Sequence, residues 1–390
     1  MKRNVETVIL GAGIIGSSVA FHLAARGAKN ILVLERDKTP LKLLESSAST
    51  ARATGGFRVQ YGTQINARLS LLARRQLLEF EAVTGVNPGY NPCGYIFMAE
   101  SEAHLLELRA SLEVQRAAGL MVSQEVSVSE IQSLNPALNL TGVLGGTFCP
   151  WDGFVRPVEI ARGFREAAKR LGVQFEYGQD ANLEFQQARV SGVRTKSEFI
   201  SCERVVNATG AWAAELSRAS GFELPVVPVR RQVAATIPTN VLPENMPMSI
   251  FVIDGFHLRV RDGRVLLLLP QDTPKEDPYN LEFEASWLKP LLERAHTRVP
   301  VLRDVPIDPN FCWVGLYEMS PDHHALLGRA PNTENLYLVN GSSGHGVMHS
   351  SALGMLLAEI ILELPTSLDV RALRPERFLE ADPILGSSLL

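Results

Sequence analysis

Cysteine is scarce in this chain, with 4 among 390 residues. Cys93, Cys149, Cys202 and Cys312 stand far apart and form no C-x-x-C, which excludes a disulfide framework and a zinc knuckle. A reducing compartment is the expectation. No His, Cys or Asp spacing suggests a metal site. Long apolar runs are missing too: residues 265–269 are too few, and residues 353–362 are interrupted by Glu359, whereas a bilayer span needs about 20 apolar residues. The opening Met1-Lys2-Arg3-Asn4 leads into a short apolar run, Val8-Ile9-Leu10, which a glycine cluster ends before a signal-peptide core can form. A cytoplasmic chain without a membrane span is therefore expected. Nor is there a basic excess. Lys and Arg number 38 against 42 Asp and Glu, a balance of −4, so nucleic acid is not an expected partner.

The rest of the composition is that of a folded protein, 46% hydrophobic and 21% charged. At roughly 150 residues per domain its length allows two or three domains. The strongest local signal lies in the first 36 residues. A strand over residues 5–10 leads into Gly11-Ala12-Gly13-Ile14-Ile15-Gly16, a helix over 17–26 follows, and a second strand over 31–34 ends at Glu35 and Arg36. This is a βαβ unit with a dinucleotide-binding turn. Gly11 permits the tight turn, Gly13 lets a pyrophosphate approach the backbone, and Gly16 lets the helix pack on the strand. The helix N-terminus then faces the phosphate charge. Glu35 is placed to accept from ribose hydroxyls and to repel a 2′-phosphate, which argues against NADP and leaves FAD and NAD open.

A loop of small residues follows, Ser46-Ser47-Ala48-Ser49-Thr50-Ala51-Arg52-Ala53-Thr54-Gly55-Gly56-Phe57-Arg58, able to run amides and hydroxyls along a second phosphate toward a ring system. Further on, helices are expected over 63–84, 102–118 and 157–171, and strands at 95–98, 173–177 and 204–206. Residues 225–309 are rich in β-branched and apolar residues broken by Pro and Gly, which suggests an antiparallel sheet, with a helix over 284–297. The α/β pattern then returns: a strand at 335–340, the loop Gly341-Ser342-Ser343-Gly344-His345-Gly346, and a helix over 349–362.

Four blocks in this order, G-A-G-I-I-G with Glu35, S-T-A-R-A-T-G-G-F-R, V-V-N-A-T-G-A-W, and S-P-D-H-H followed by G-S-S-G-H-G, resemble the D-amino-acid oxidase superfamily of FAD-dependent amine oxidoreductases. The chain is most similar to the branch holding sarcosine oxidases and their β-subunits, dimethylglycine dehydrogenases, bacterial proline dehydrogenase β-subunits and opine oxidase subunits. The resemblance implies an α/β (α+β) fold: a Rossmann-like FAD-binding domain, discontinuous in sequence, with an interleaved antiparallel-sheet substrate domain. The expected boundaries give residues 1–75, 145–220 and 310–370 to FAD, residues 76–144 and 221–309 to the substrate, and 371–390 to a C-terminal tail. The implied reaction removes a hydride from a carbon next to nitrogen, in sarcosine, an N-alkyl amino acid, proline or an opine, passes it to flavin N5, and leaves an imine for water. O2 or another acceptor then takes the electrons. A D-amino-acid dehydrogenase, or a flavin-binding subunit or assembly factor that needs a partner chain, is the alternative.

The resemblance also implies roles. Gly11, Ala12, Gly13, Ile14, Ile15 and Gly16 match the pyrophosphate turn, and Glu35 with Arg36 the adenosine end. Thr50, Ala51, Arg52, Thr54, Gly55 and Gly56 match the loop beside the flavin, Ala181 a backbone contact to adenine, and Ala208, Thr209 and Gly210 a small-residue crossing. Gly344, His345, Gly346, Val347 and Met348 match a loop that starts a helix under the flavin pyrimidine, where free amides stabilise the reduced anion. For the substrate, the G-L-R-P arginine of D-amino-acid and glycine oxidases is absent, since Gly315-Leu316-Tyr317-Glu318 stands there. Arg58 matches the sarcosine-oxidase arginine that pairs with a carboxylate. His257 and Tyr317 are further catalytic candidates, with Arg259 and His323 below them. Met348 replaces a lysine of that group, so a less cationic pocket is expected. Gly315 stands where monomeric sarcosine oxidases carry the cysteine that binds FAD, so FAD is expected to be non-covalent. Residues 266–269, all leucine, replace a strand that carries the oxygen-activating lysine.

Overall fold

The computed structural model describes residues 3–43, 45–218, 223–270 and 276–384. The last six residues of the expected tail lie outside them. The chain opens with β1 (Arg3–Leu10), α1 (Ile14–Ala25) and β2 (Ile31–Glu35), then α2 (Ser49–Arg52), β3 (Gly56–Phe57) and α3 (Gln64–Thr84). Next come β4 (Tyr95–Ala99), α4 (Glu102–Ala117), β5 (Gln124–Val126), α5 (Val128–Leu134), β6 (Gly145–Cys149), β7 (Gly153–Phe154) and α6 (Pro157–Arg170). The middle holds β8 (Gln174–Tyr177), β9 (Ala181–Gln186), β10 (Arg189–Thr195), β11 (Phe199–Asn207), α7 (Ala213–Ser217) and β12 (Val227–Ala235). It continues through β13 (Met248–Phe251), β14 (His257–Arg261), β15 (Arg264–Leu268) and α8 (Leu288–Arg298). The chain returns through β16 (Trp313–Met319), β17 (Leu326–Arg329), β18 (Leu336–Asn340) and α9 (Gly346–Ile361).

Two eight-stranded sheets follow from these elements. In the first the path is β17-β18-β11-β1-β2-β8, with β10 on β11 and β9 on β10. The pairs β1–β2, β1–β11, β11–β18 and β2–β8 are parallel. The buried run Val8-Ile9-Leu10 at the sheet centre has the two-sided burial that parallel strands require. Helices α1, α3, α6 and α9 cover one face through Val19, Leu69, Phe164, Leu353 and Leu357. The second sheet runs β16-β12-β15-β14-β13-β4-β6-β5 and packs on α8 through Leu258, Leu267, Trp287 and Leu291.

The second sheet is antiparallel as expected, except that β4 and β13 pair in parallel, Tyr95 opposite Met248. It draws three strands from residues 95–149 and also takes β16. Strands β6 and β16 thus stand in segments expected to bind the cofactor while pairing into the other sheet, because β6 finds β4 and β16 finds β12 as ladder partners. Two helices start three residues before their expected positions: α1 at Ile14 rather than residue 17, and α9 at Gly346 rather than residue 349. In both, the glycine turn feeds straight into the helix. The unpaired amides of the first turn, the groups that attract an anion, therefore fall within the glycine motifs themselves.

Candidate active site

The turn between β1 and α1 lies against the end of β11. A Cβ on Gly11 would collide with the carbonyl of Ala208, and one on Gly16 with the carbonyl oxygen of Gly11. The backbone crossing leaves no room for side chains at either position. A cavity of about 300 Å3 opens beside it, bordered by Gly13, Glu35, Arg36, Thr50, Ala181 and Thr209. Glu35 is fixed at the end of β2 by two amides, Oε2 accepting from Ala12 at 2.8 Å and Oε1 from Asp37 at 2.9 Å. Thr50 ties α2 to the turn, its Oγ1 accepting from the Ile14 amide at 3.0 Å. Ala12, Ile14, Ile15 and Ala51 are buried behind the cavity rather than in it. Gly210 follows Thr209, whose Oγ1 donates to Asn207 Oδ1 at 2.7 Å. The Arg36 guanidinium lies 4.3 Å from the Trp212 ring, which stacks on Tyr279 at 5.7 Å. Trp212 was visible only as part of the N-A-T-G-A-W block.

A second cavity, about 620 Å3, opens between the loop after α2, the ends of β12 and β16, and the start of α9. The loop is locked from three sides. Arg52 donates from Nε to the Ser46 carbonyl at 2.7 Å and from Nη1 to Val314 at 3.0 Å, and Trp313 Nε1 donates to the Arg52 carbonyl at 2.7 Å. Arg259 donates to the Thr54 carbonyl at 2.6 Å and covers the Phe154 ring at 3.5 Å. Arg259 is therefore outside the cavity, a brace for the loop. Thr54, Gly55, Gly56, Gly344, Val347 and Met348 border the cavity, and Gly346 opens α9 beside it.

Arg58, His257, Tyr317, Met348 and His323 all reach this one cavity. Arg58 Nη2 donates to His345 Nε2 at 3.1 Å, and its guanidinium lies 4.3 Å from the Tyr61 ring. Arginine has no acceptor, so His345 is neutral with its proton on Nδ1. Burial, with Arg58 nearby, holds His345 well below the ordinary imidazole range. Tyr61 donates its hydroxyl to Met348 Sδ at 3.0 Å. His257 Nδ1 donates to the Gly255 carbonyl at 2.7 Å, which leaves Nε2 as the acceptor, and burial lowers this histidine too. The Arg231 guanidinium stands 5.5 Å from the Tyr317 ring.

Three residues of the site went unrecognised in the sequence, two on the cavity border and one buried behind it. Asp152 is fully buried under Arg58, accepting from the Val59 amide at 2.6 Å and from Gln60 Nε2 at 2.7 Å. Burial pushes its carboxyl up to about 7. Its one sequence signal was an acid inside the turn W-D-G-F. Tyr95 is 2% exposed, and its hydroxyl faces Gly56 with no partner among the described residues. On an apolar strand it reads as an ordinary core aromatic. Arg231, on β12 opposite Gly315, reaches the cavity from the neighbouring strand. Met348 brings no charge to the cavity, as its place in the sequence implies, while arginines reach it from other positions. Among the described residues Arg52, Arg58 and Arg231 border it against one carboxylate, Asp322, which is itself ion-paired with Arg377.

The sequence profile of the FAD dependent oxidoreductase family, DAO, matches residues 6–360. The chain belongs to this family. FAD-dependent oxidoreductase domain-containing protein 1 of Xenopus laevis is 26% identical, over 100% of this chain and 85% of its own. Dimethylglycine dehydrogenase of Mus musculus is 27% identical over 97% of this chain. The chain spans 44% of that dehydrogenase's length. Among solved structures, L-proline dehydrogenase from P. horikoshii superposes with a TM-score of 0.88 at 25% identity, covering 98% of this chain and 100% of its own. By family the chain is thus an FAD-dependent oxidoreductase, and its cofactor is FAD. The residues present fit that group: the glycine crossing leaves a side-chain-free cradle, and the buried Ser49 hydroxyl beside it has no partner among the described residues. Among the described residues no set of three or more His, Cys, Asp or Glu could hold a metal ion, and no helix is long and apolar enough to cross a membrane.

Proposed function

We propose that this DAO-family chain oxidises the C–N bond of a carboxylate-bearing secondary amine, such as an N-alkyl amino acid or a proline-like imino acid. The observation that carries this reading is Arg58, fixed by His345 and Tyr61 and presented to the larger cavity. A guanidinium fork pairs with both oxygens of a carboxylate. Gly11, Gly13, Glu35, Thr50 and Thr209 would hold the dinucleotide end of FAD, and residues 54–56 with the start of α9 would hold its ring. FAD, when bound, supplies the hydride acceptor at N5.

The protein's part is orientation and control of charge. Arg58 holds the carboxylate, and Asp152 holds the backbone behind Arg58. Among the described residues the one carboxylate bordering the cavity, Asp322, is committed to Arg377, so the site as described favours the amine in its neutral form. His257 is neutral with Nε2 as acceptor, so it orients the amine N–H. Leu268 and Leu269 give the cavity an apolar stretch of wall. No residue need take a proton from carbon, because the hydride leaves a neutral amine and the iminium product is hydrolysed by water. With leucines where an oxygen-activating lysine would stand, and Gly315 offering no thiol, FAD is non-covalent and another acceptor outcompetes O2.

Arg231 supports a second reading. A D-amino acid needs an arginine in place of the missing G-L-R-P one, and Arg231 reaches over Tyr317 at that position. Anaerobic mixing of the yellow protein with secondary and primary amino acids tests both. Loss of the flavin's blue absorbance with N-alkyl amino acids or proline supports the first reading, loss with D-amino acids alone supports the second, and a flavin that no amine reduces assigns activity to a partner subunit.

A further inference from the structure

The tail after α9 was expected to stand apart from both functional regions, yet it returns to the larger cavity. Arg377 is fully buried, its guanidinium paired with Asp322 through Nε at 2.8 Å and Nη2 at 3.0 Å. It also donates to the carbonyls of Leu373 and His324. The chain then turns back, Asp382 N donating to the Arg377 carbonyl at 2.8 Å, so that Ile384 N donates at 3.1 Å to Asp322 Oδ2, the oxygen that also accepts from Arg377 Nε. Ile384 borders the cavity beside His323 and His324. The His324 ring is held in turn by Thr63 at the start of α3, at 2.8 Å.

We propose that residues 377–384 form a wall of the substrate cavity, with Ile384 as the contact that limits the size of the substrate's alkyl group and Arg377 as the positioning residue that fixes it. The inference deepens the function proposed above and rests on it for the nature of the substrate. A buried ion pair adds little net stability over apolar packing, but it fixes one geometry because either charge alone would be stranded. Asp322 supplies that geometry to both sides: it clamps the turn that carries His323 and His324 into the cavity, and it receives the tail. The wall is apolar where it meets the cavity, while the carboxylate-binding arginines lie elsewhere along its border. An amine held by Arg58 would therefore direct its hydrocarbon substituent toward Ile384.

Three chains test this: Ile384→Ala, Ile384→Trp, and a chain ending at Asp382, which keeps the Arg377–Asp322 pair and the Asp382 turn. Anaerobic flavin reduction is measured with an N-methyl and an N-cyclohexyl derivative of one amino acid. Ile384→Ala and the shortened chain should lower the apparent Kd for the N-cyclohexyl compound about tenfold relative to the N-methyl one, and Ile384→Trp should raise it, since a few methylenes in an apolar pocket are worth roughly 10- to 200-fold. The limiting rate with the N-methyl compound should move less than twofold, a split that general loosening of the fold would not give. Iodide quenching of the bound flavin's fluorescence gives a readout that needs no substrate, and it should increase severalfold in the shortened chain. A size preference and a quenching constant that are both unchanged would overturn the wall. A flavin that no amine reduces in the intact chain would overturn the proposed function, and the quenching result would still decide the wall.

Discussion

Arg58 and His345 stand Nη2 to Nε2 at 3.1 Å, 287 residues apart in the chain. This contact joins the segment after β3 to the residue that precedes α9, and it holds only while His345 is neutral. Burial keeps that histidine neutral, so Arg58 keeps its position through the physiological pH range. Arg58→Lys removes the fork but keeps the charge. We expect the KM for an N-alkyl amino acid to rise about 10- to 100-fold, the loss of one strong charged hydrogen bond, while FAD titrates in unchanged. Steady-state kinetics with the matching amine lacking a carboxylate is the control, and there the variant should equal the parent.

The Tyr95 hydroxyl gives a prediction of opposite sign for stability and for binding. It is buried without a partner among the described residues, and it borders the cavity. Burial raises it well above the ordinary phenol range, so it remains a donor. Tyr95→Phe should leave the Tm of the FAD-free protein equal or higher, since an unsatisfied polar atom is removed, and should weaken substrate binding roughly fivefold, about 1 kcal/mol. Calorimetry alongside anaerobic titration separates the two effects.

Gly16 tests the cradle. Its missing Cβ is what allows the Gly11 carbonyl to sit where it does. Gly16→Ala should weaken FAD binding by about 10- to 100-fold through overpacking, giving a pale protein of normal secondary structure on purification. Circular dichroism and flavin absorbance read both quantities on one sample.

The cradle was also the part most readable in the sequence, because its three glycines and Glu35 lie within 25 residues and each obeys a local rule, while Thr50 followed from the resemblance. The larger cavity was only partly readable. Arg58, Tyr317 and Met348 could be named from motif blocks, but Asp152 and Arg231 lie far from those blocks in the chain and meet them only through strand pairing. Tyr95 looks like any core aromatic on an apolar strand. The parallel β4–β13 pair could not be read either, since no local pattern identifies which strand a strand will choose. Ile384 lies in a segment with no periodicity at all, and only Arg377, buried against Asp322, explains its position.

Glu318 links stability to pH. It is buried behind Tyr317, Oε1 accepting from the Ser342 amide at 3.3 Å and Oε2 having no partner among the described residues. Burial pushes its carboxyl up from the ordinary range to about 7. A carboxyl with a raised folded pKa is more protonated in the folded state, so its stabilising share is complete below the unfolded value of 4.5 and is lost as pH rises to about 7. Glu318→Gln stays uncharged throughout. Its stability relative to the parent should increase between pH 4.5 and pH 7, by up to about 3 kcal/mol, and urea unfolding at the two pH values measures the difference.

The central claim is that the chain reduces its flavin with a carboxylate-bearing amine. Anaerobic stopped-flow mixing of the FAD-loaded protein with an N-methyl amino acid, and separately with the same N-methyl amine lacking the carboxylate, tests it most directly. Saturable loss of the flavin's blue absorbance is expected with the first and at most a slow, unsaturated loss with the second. Equal reduction by both would contradict the role given to Arg58, and no reduction by any amine would contradict the function itself.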